Sequence, residues 1–165
     1  MGKKADITIA LMKKEDVDQV LAIEQASFTM PWSKNLFLSE FRSPLISSLL
    51  VALADARERL VVGYLVYWLV EDEMHILNIA VAPAFRREGV SRKLVLAGLK
   101  RAFEKGAKRA LLEVRASNEA AQKLYANFGF AGIALRRDYY DMPTEDAVIM
   151  TLEQGAFRSV VKRQE

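Results

Sequence analysis

The sequence predicts an α/β fold in which helices cover both faces of one mixed, mostly antiparallel sheet. Two observations support this prediction. Three β-rich runs follow one another in the first half, which indicates an antiparallel meander. A strand–helix–strand unit then follows, and such a crossover should be parallel and right-handed. With 165 residues, 52% of them hydrophobic, the chain has the size and composition of a single domain with one packed core.

The first elements are a strand and two helices. Residues 6–12 alternate polar and apolar side chains, which indicates a strand. A helix should begin at Lys14, because the acidic residues that follow it suit a helix N-terminus. Its residues Val17, Val20, Leu21 and Glu24 share one face. Pro31 interrupts this helix, and Ser33 can cap a second helix that extends to about Arg42.

The meander and the crossover come next. Residues 49–53, 60–70 and 74–81 are β-rich and are separated by short charged turns. Residues 89–105 have an apolar helical stripe, and Gly106 can end that helix. A short buried strand is predicted over residues 109–115.

The last elements are a helix, two strands and a tail. The helix follows Ser117 and Asn118 and ends at Gly129. The strands are predicted over residues 130–136 and 147–152, with a loop between them. The domain is predicted to span residues 1–165. Its last segment, residues 155–165, contains several basic side chains and is predicted to be a flexible tail.

Composition excludes several classes of site. The sequence has no cysteine and one histidine, His75, so thiolate metal sites, cysteine nucleophiles and multi-histidine metal sites within one chain are excluded. The formal net charge of +3 is too small to predict nucleic-acid binding. The longest apolar run, residues 60–70, is far shorter than the roughly 20 residues of a spanning helix. We expect a cytoplasmic monomer without a metal, a membrane contact or direct nucleic-acid binding.

A basic, glycine-containing loop follows the third strand of the meander and precedes a helix. Unpaired N–H groups and the helix dipole at such a terminus favour an anion. The alternative is an ordinary strand–helix turn with solvated arginines. The sequence lacks the Gly-Lys-Ser/Thr of a Walker loop and the three glycines of a dinucleotide fingerprint. The candidate anion-binding residues are Arg86, Arg87, Glu88, Gly89, Val90, Ser91 and Arg92.

Two side chains outside this loop could carry acid–base chemistry. Glu113 lies within an apolar strand, where a carboxylate is costly unless it is paired or used. Tyr125 lies on the apolar face of its helix. The structural alternatives are a salt bridge for Glu113 and core packing with a satisfied hydroxyl for Tyr125. Trp32, Asn78 and Tyr139 could line a cleft or simply pack, and His75 is interpreted as a strand-edge residue rather than a catalyst.

These motifs together resemble the GNAT family of acetyl-CoA-dependent N-acetyltransferases. Arg86-Arg87-Glu88-Gly89-Val90-Ser91 is similar to the family pattern [Q/R]-x-x-G-x-[G/A], with Ser91 where glycine or alanine is usual. The runs LEVRASN from Leu112, LYxxxGF from Leu124, Arg136 to Tyr140 and Glu145 to Met150 resemble family members that acetylate protein N-termini. The resemblance extends from about Ile7 to Leu152.

The resemblance implies acetyl transfer from acetyl-CoA to a protein α-amine, with the N-terminal alanine of a small-subunit ribosomal protein as the expected substrate. It implies that Glu113 is the general base and Tyr125 the general acid, and it favours a peptide contact for Tyr139. Trp32 and Asn78 are the other candidate peptide-binding residues. The residues expected to contact acetyl-CoA are Ile79, Ala80, Val81, the loop residues Arg86 to Arg92, and Asn118.

Elementary chemistry agrees with these implied roles. An α-amino group has a pKa of about 7.7–8, so a modest carboxylate base is sufficient to deprotonate it. A phenol with a pKa of about 10 can protonate the departing thiolate. Without a cysteine to hold the acetyl group, transfer should be direct, in a ternary complex. Two alternatives remain: a GNAT enzyme acting on a small amine, polyamine or lysine side chain, and a non-catalytic acyl-CoA sensor.

Overall fold

The computed structural model describes residues 5–163, which contain seven strands and five α-helices. In chain order these are β1 (Thr8–Leu11), α1 (Val17–Ser27), α2 (Lys34–Glu40), β2 (Ser47–Asp55), β3 (Leu60–Val70), β4 (Glu73–Val81), α3 (Val90–Glu104), β5 (Arg109–Arg115), α4 (Glu119–Ala126), β6 (Ala131–Tyr140), β7 (Glu145–Glu153) and α5 (Gln154–Lys162). Short 3₁₀ turns at Lys14–Asp16 and Pro83–Phe85 precede α1 and follow β4.

The strands form one mixed sheet in the order β1-β2-β3-β4-β5-β7-β6. The pairs β1–β2, β2–β3, β5–β7 and β6–β7 are antiparallel. The β4–β5 pair is parallel and has a short ladder, from Glu73 opposite Arg109 to His75 opposite Leu111. The predicted meander and parallel crossover are therefore confirmed.

The chain forms two compact units. The first contains the described residues up to Trp68 together with Leu77–Lys100, and the second contains Leu69–Ile76 together with the described residues from Arg101 onward. That residues 1–165 make a single domain stays a prediction.

Helices α1 and α2 close the core of the first unit. Val17, Val20 and Ile23 of α1 are buried at helical spacing, and Phe37 of α2 is fully buried. The Phe37 ring meets the Tyr64 ring edge-on, with centroids 5.6 Å apart. Gly63 allows close packing in β3, because a Cβ there would lie 3.1 Å from the carbonyl oxygen of Ala80 and 3.2 Å from Leu94 Cδ1.

Helix α5 differs from the predicted flexible tail. Gln154–Lys162 form a helix directly after β7, and residues 164 and 165 lie outside the described part. Phe157 is only 5% exposed, and its ring centroid is 5.2 Å from that of Phe103. Burial of this aromatic ring in the second unit stabilises the helix. The basic composition of the segment did not indicate this.

Candidate active site

Glu113 lies beside His75 in the second unit. His75 is opposite Leu111 in the parallel ladder, and Glu113 is two residues further along β5, where side chains return to the same face. The distance from His75 Nε2 to Glu113 Oε2 is 2.7 Å. The Glu113 side chain is 12% exposed and that of His75 is 31% exposed. The sequence predicted the carboxylate but not its histidine partner.

This environment keeps Glu113 ionised. The hydrogen bond with His75 lowers the pKa of the Glu113 carboxyl, and the charge of Arg136 lowers it further. Partial burial opposes these effects but does not outweigh them, so the pKa lies below its usual value of 4.5. At neutral pH the side chain is a carboxylate that can accept a proton.

Tyr125 is a buried phenol on α4. It is 5% exposed, and its ring meets that of Phe130 edge-on at 5.6 Å. Burial raises the pKa of the Tyr125 hydroxyl above the ordinary phenol value, and the nearby Tyr140 adds to this rise. The hydroxyl therefore keeps its proton at neutral pH, as a general acid must. The side chain of Asn118 starts this helix by accepting a hydrogen bond from the Ala121 amide at 3.1 Å.

Tyr139 and its neighbour Tyr140 lie at the end of strand β6, although the sequence predicted a loop there. Their rings meet edge-on at 5.0 Å. The Arg136 guanidinium carbon lies 5.2 Å from the Tyr139 ring centroid, and that of Arg115 lies 4.3 Å from the Tyr140 ring centroid. Burial, followed by the charges of Tyr139 and Glu113, raises the pKa of Tyr140 to about 12. Tyr139 itself is 43% exposed.

Arg115 and Glu145 hold this end of the β6–β7 hairpin. Arg115 donates to the backbone carbonyls of Asp141 and Pro143 and forms an ion pair with Glu145 at 3.3 Å. Glu145 also accepts a hydrogen bond from the Ser117 amide at 2.6 Å. Both residues belong to sequence runs that carried the family resemblance, but their pairing could not be read from the sequence.

In the first unit, Glu24 brings together two of the predicted cleft residues. Its side chain is 1% exposed. Oε1 accepts a hydrogen bond from the Trp32 amide at 2.9 Å, and Oε2 accepts one from Asn78 Nδ2 at 2.9 Å and one from the Tyr64 hydroxyl. Burial and the Glu24 charge raise the pKa of Tyr64. In the sequence, the sign that pointed to Glu24 was its position on the apolar face of α1.

The basic loop has the backbone geometry expected at a helix N-terminus. Arg87 and Gly89 both have positive φ angles, 63° and 81°. A Cβ on Gly89 would meet nothing within 4 Å, so conformation rather than space favours glycine there. Helix α3 then begins at Val90, which is 1% exposed. In general, the first N–H groups of a helix have no partner within the helix, and such a terminus favours an anion.

Arg86 has a structural role in this loop. Its Nε donates to the Val81 carbonyl at 3.0 Å, and its Nη2 donates to the Ser27 hydroxyl at 3.1 Å. The side chain thus fixes the end of β4 to α1, a role that the sequence did not predict.

Residues 5–163 contain no group of three or more His, Asp or Glu side chains arranged to hold a metal ion. No helix within that range is long and apolar enough to cross a membrane.

Comparisons with known proteins give a consistent result. The sequence model of the Acetyltransferase (GNAT) family matches residues 17–130. The ribosomal protein bS18-alanine N-acetyltransferase of Salmonella typhimurium is 36% identical over 149 residues, which cover 88% of this chain and 96% of the relative. The protein of that name from Escherichia coli K12 is 34% identical over 149 residues, with the same coverage.

Solved structures agree with the sequence relatives. The crystal structure of the ribosomal-protein-S18-alanine N-acetyltransferase from Escherichia coli superposes with a TM-score of 0.81 at 31% identity, covering 90% of this chain and 94% of that one. The crystal structure of Ard1 from Thermoplasma volcanium superposes with a TM-score of 0.80 at 30% identity, covering 89% and 97%.

Proposed function

Because this chain belongs to the GNAT family of acetyltransferases, we propose that it acetylates the N-terminal alanine of ribosomal protein bS18, with acetyl-CoA as donor. The observation that carries this assignment is the similarity to relatives named for that reaction, at 34% and 36% identity over 96% of their length. A ribosomal-protein substrate also favours action in the cytoplasm.

In the proposed mechanism Glu113 is the general base. The substrate amine attacks only when neutral, and its pKa of about 7.7–8 means that it loses a proton readily. The ionised Glu113 carboxylate takes this proton, directly or through one water molecule. The low pKa of Glu113 is tolerable because the amine needs little assistance.

Tyr125 is the proposed general acid. The nitrogen–carbon bond forms as the carbon–sulfur bond of the thioester breaks, and the electron pair of that bond leaves on sulfur. The Tyr125 hydroxyl gives its proton to this thiolate. A buried phenol with a raised pKa supports this role, because it arrives at the step protonated. The sequence holds no cysteine that could carry the acetyl group between two half-reactions.

The remaining site residues have proposed binding roles. In the first unit, the N–H groups at the start of α3 and the charges of the loop from Arg86 to Arg92 suit the phosphates of acetyl-CoA. Backbone groups of Ile79, Ala80 and Val81 are proposed to contact its acyl arm, as a paired strand would. Trp32 and Asn78, both held by Glu24, are proposed to contact the peptide. In the second unit, Asn118 is proposed to contact acetyl-CoA and Tyr139 the peptide.

The test is thiol release from acetyl-CoA in the presence of a peptide with the N-terminal sequence of bS18. The same peptide with a blocked N-terminus and an internal lysine is the matched control. We expect turnover with the free N-terminus alone. Turnover of the blocked peptide, or of a polyamine in its place, would contradict the proposed substrate, and tight CoA binding without any turnover would favour a sensor.

Glu113→Gln tests the base. Removing a general base should lower the turnover number by about 10²- to 10⁴-fold, while calorimetric CoA binding stays unchanged. Glu104→Gln, which changes an exposed carboxylate at the end of α3, is the control and should keep the full rate. Full activity of Glu113→Gln at every pH would show that another group takes the proton.

A further inference from the structure

His75 makes a specific contact with Glu113 that a residue at a strand edge does not need. It is the last residue of β4 in the parallel ladder, and the pairing aligns it with Leu111, two residues before Glu113. Side chains at those positions share a face of the sheet, and the 2.7 Å separation of Nε2 and Oε2 makes a direct hydrogen bond. His75 is also the sole histidine of the sequence.

We propose that His75 is a positioning residue for acetyl transfer, which donates a hydrogen bond from Nε2 to Glu113 and so orients and preserves the carboxylate that accepts the amine proton. The direction of this bond follows from chemistry, because an ionised carboxylate can only accept. The proposal deepens the proposed function, since it rests on Glu113 acting as the base.

Among the groups around this pair, His75 has the largest effect on the pKa of Glu113. Glu73 and Arg109 lie opposite each other on the same face, two residues before His75 and Leu111, and form an ion pair at 3.4 Å. Their charges therefore largely offset each other. Two groups of β6 also interact with Glu113. The charge of Arg136 lowers the pKa of Glu113, and the charge of Glu113 raises the pKa of Tyr140. Among these groups, His75 makes the direct bond and has the largest effect on the Glu113 pKa.

Loss of the imidazole should affect Glu113 in two ways. The carboxylate would lose the contact that fixes its orientation, so fewer bound complexes would be ready to react. Its pKa would also rise towards the ordinary glutamate value. Binding of acetyl-CoA would not depend on this bond.

The kinetic test compares His75→Leu and His75→Gln with the wild type, using the bS18 N-terminal peptide. We expect His75→Leu to lower kcat by about 10- to 100-fold, the effect of one charge-assisted hydrogen bond. The KM for acetyl-CoA should stay within about twofold. His75→Gln should recover most of the rate, because its amide N–H lies at a similar distance along the side chain. Wild-type kcat in His75→Leu, or no recovery in His75→Gln, would overturn the proposal.

A second measurement does not depend on the substrate. The side-chain carboxyl carbon of Glu113 can be titrated by NMR in protein labelled with ¹³C-glutamate, with Glu113→Gln to assign its signal. The Glu113 pKa should be higher in His75→Leu than in the wild type and lower again in His75→Gln. An unchanged pKa in His75→Leu would overturn the proposal. A wild-type protein that fails to acetylate the peptide would overturn the proposed function instead, and this titration would still decide the role of His75.

Discussion

At the scale of single residues, Tyr125 offers the sharpest test of the acid role. Tyr125→Phe removes the hydroxyl and keeps the ring that packs on Phe130. We expect the rate of CoA release to fall by about 10²-fold or more, because the thiolate then leaves unprotonated. Stopped-flow or steady-state thiol detection measures this.

Tyr67→Phe is the matched control for Tyr125→Phe. Tyr67 is fully buried in β3, and its hydroxyl has no hydrogen-bond partner within the described residues. Its removal should leave the rate unchanged. A Tyr125→Phe variant as fast as Tyr67→Phe would indicate that water, not the phenol, protonates the thiolate.

Single residues also show what the sequence could and could not predict. Glu113 was predictable because a carboxylate in an apolar strand needs a partner or a use. His75 was not, because its position relative to Glu113 depends on the register of two strands separated by a helix. Glu24 lies on the apolar face of α1, but only the fold brings Trp32, Tyr64 and Asn78 to it.

At the scale of elements, α5 depends on one buried aromatic ring. Phe157→Ala should lower the free energy of unfolding by about 3–5 kcal/mol, since it removes a large buried side chain and leaves a cavity against Phe103. Urea unfolding should be followed here by far-UV circular dichroism. Tryptophan fluorescence does not report the second unit, because both tryptophans, Trp32 and Trp68, belong to the first unit.

The control for Phe157→Ala is Arg158→Ala, a change at an exposed position on the same helix. It should alter the free energy of unfolding by less than about 0.5 kcal/mol. Equal stabilities of the two variants would mean that α5 does not contribute its ring to the core.

Elements near the C-terminus were harder to predict than the meander. Helix α5 has no capping side chain at Glu153, so no local signal marks its start. Strand β6 extends past Arg136 to Tyr140 because the pairing shifts there, and Asp138 takes a φ of 50° and donates its amide to Asp146. An irregularity of this kind interrupts the alternation on which strand prediction depends. The boundaries of β5, Arg109–Arg115, were predicted correctly because its apolar run is short and well delimited.

At the scale of the whole molecule, the order of elements was sufficient to predict a mixed sheet with one parallel pair. Chain order implies the β2–β3 hairpin and the crossover from β4 to β5, but it does not imply that β7 pairs with β5 while β6 lies outside it. That exchange follows from long-range pairing of Arg109–Arg115 with Ala147–Glu153, which local patterns do not encode.

Stability of the folded chain in acid is predicted to depend on Asp16. This side chain is 1% exposed and accepts hydrogen bonds from Arg59 Nε and Nη2, at 2.9 and 2.6 Å, and from the Lys13 amide at 2.7 Å. Burial acts to raise the pKa of Asp16, but these hydrogen bonds and the Arg59 charge outweigh it, so the pKa lies below 3.8. A depressed pKa in the folded state adds stability above the unfolded pKa, and this stability is lost as pH falls through the folded value.

Asp16→Asn should therefore destabilise the protein at pH 7, by about tenfold in the folding equilibrium constant, the usual effect of a charge-assisted hydrogen bond. The difference from the wild type should shrink below about pH 4, where the wild-type carboxyl in the unfolded chain and then in the folded chain becomes neutral like the amide. Urea unfolding monitored by tryptophan fluorescence reports the first unit, which contains Asp16, Arg59 and both tryptophans. Asp18→Asn, at an exposed ion pair with Lys34, is the control and should have little effect at either pH. A difference between wild type and Asp16→Asn that is the same at pH 7 and at pH 3 would mean that the charge of Asp16 does not stabilise the fold.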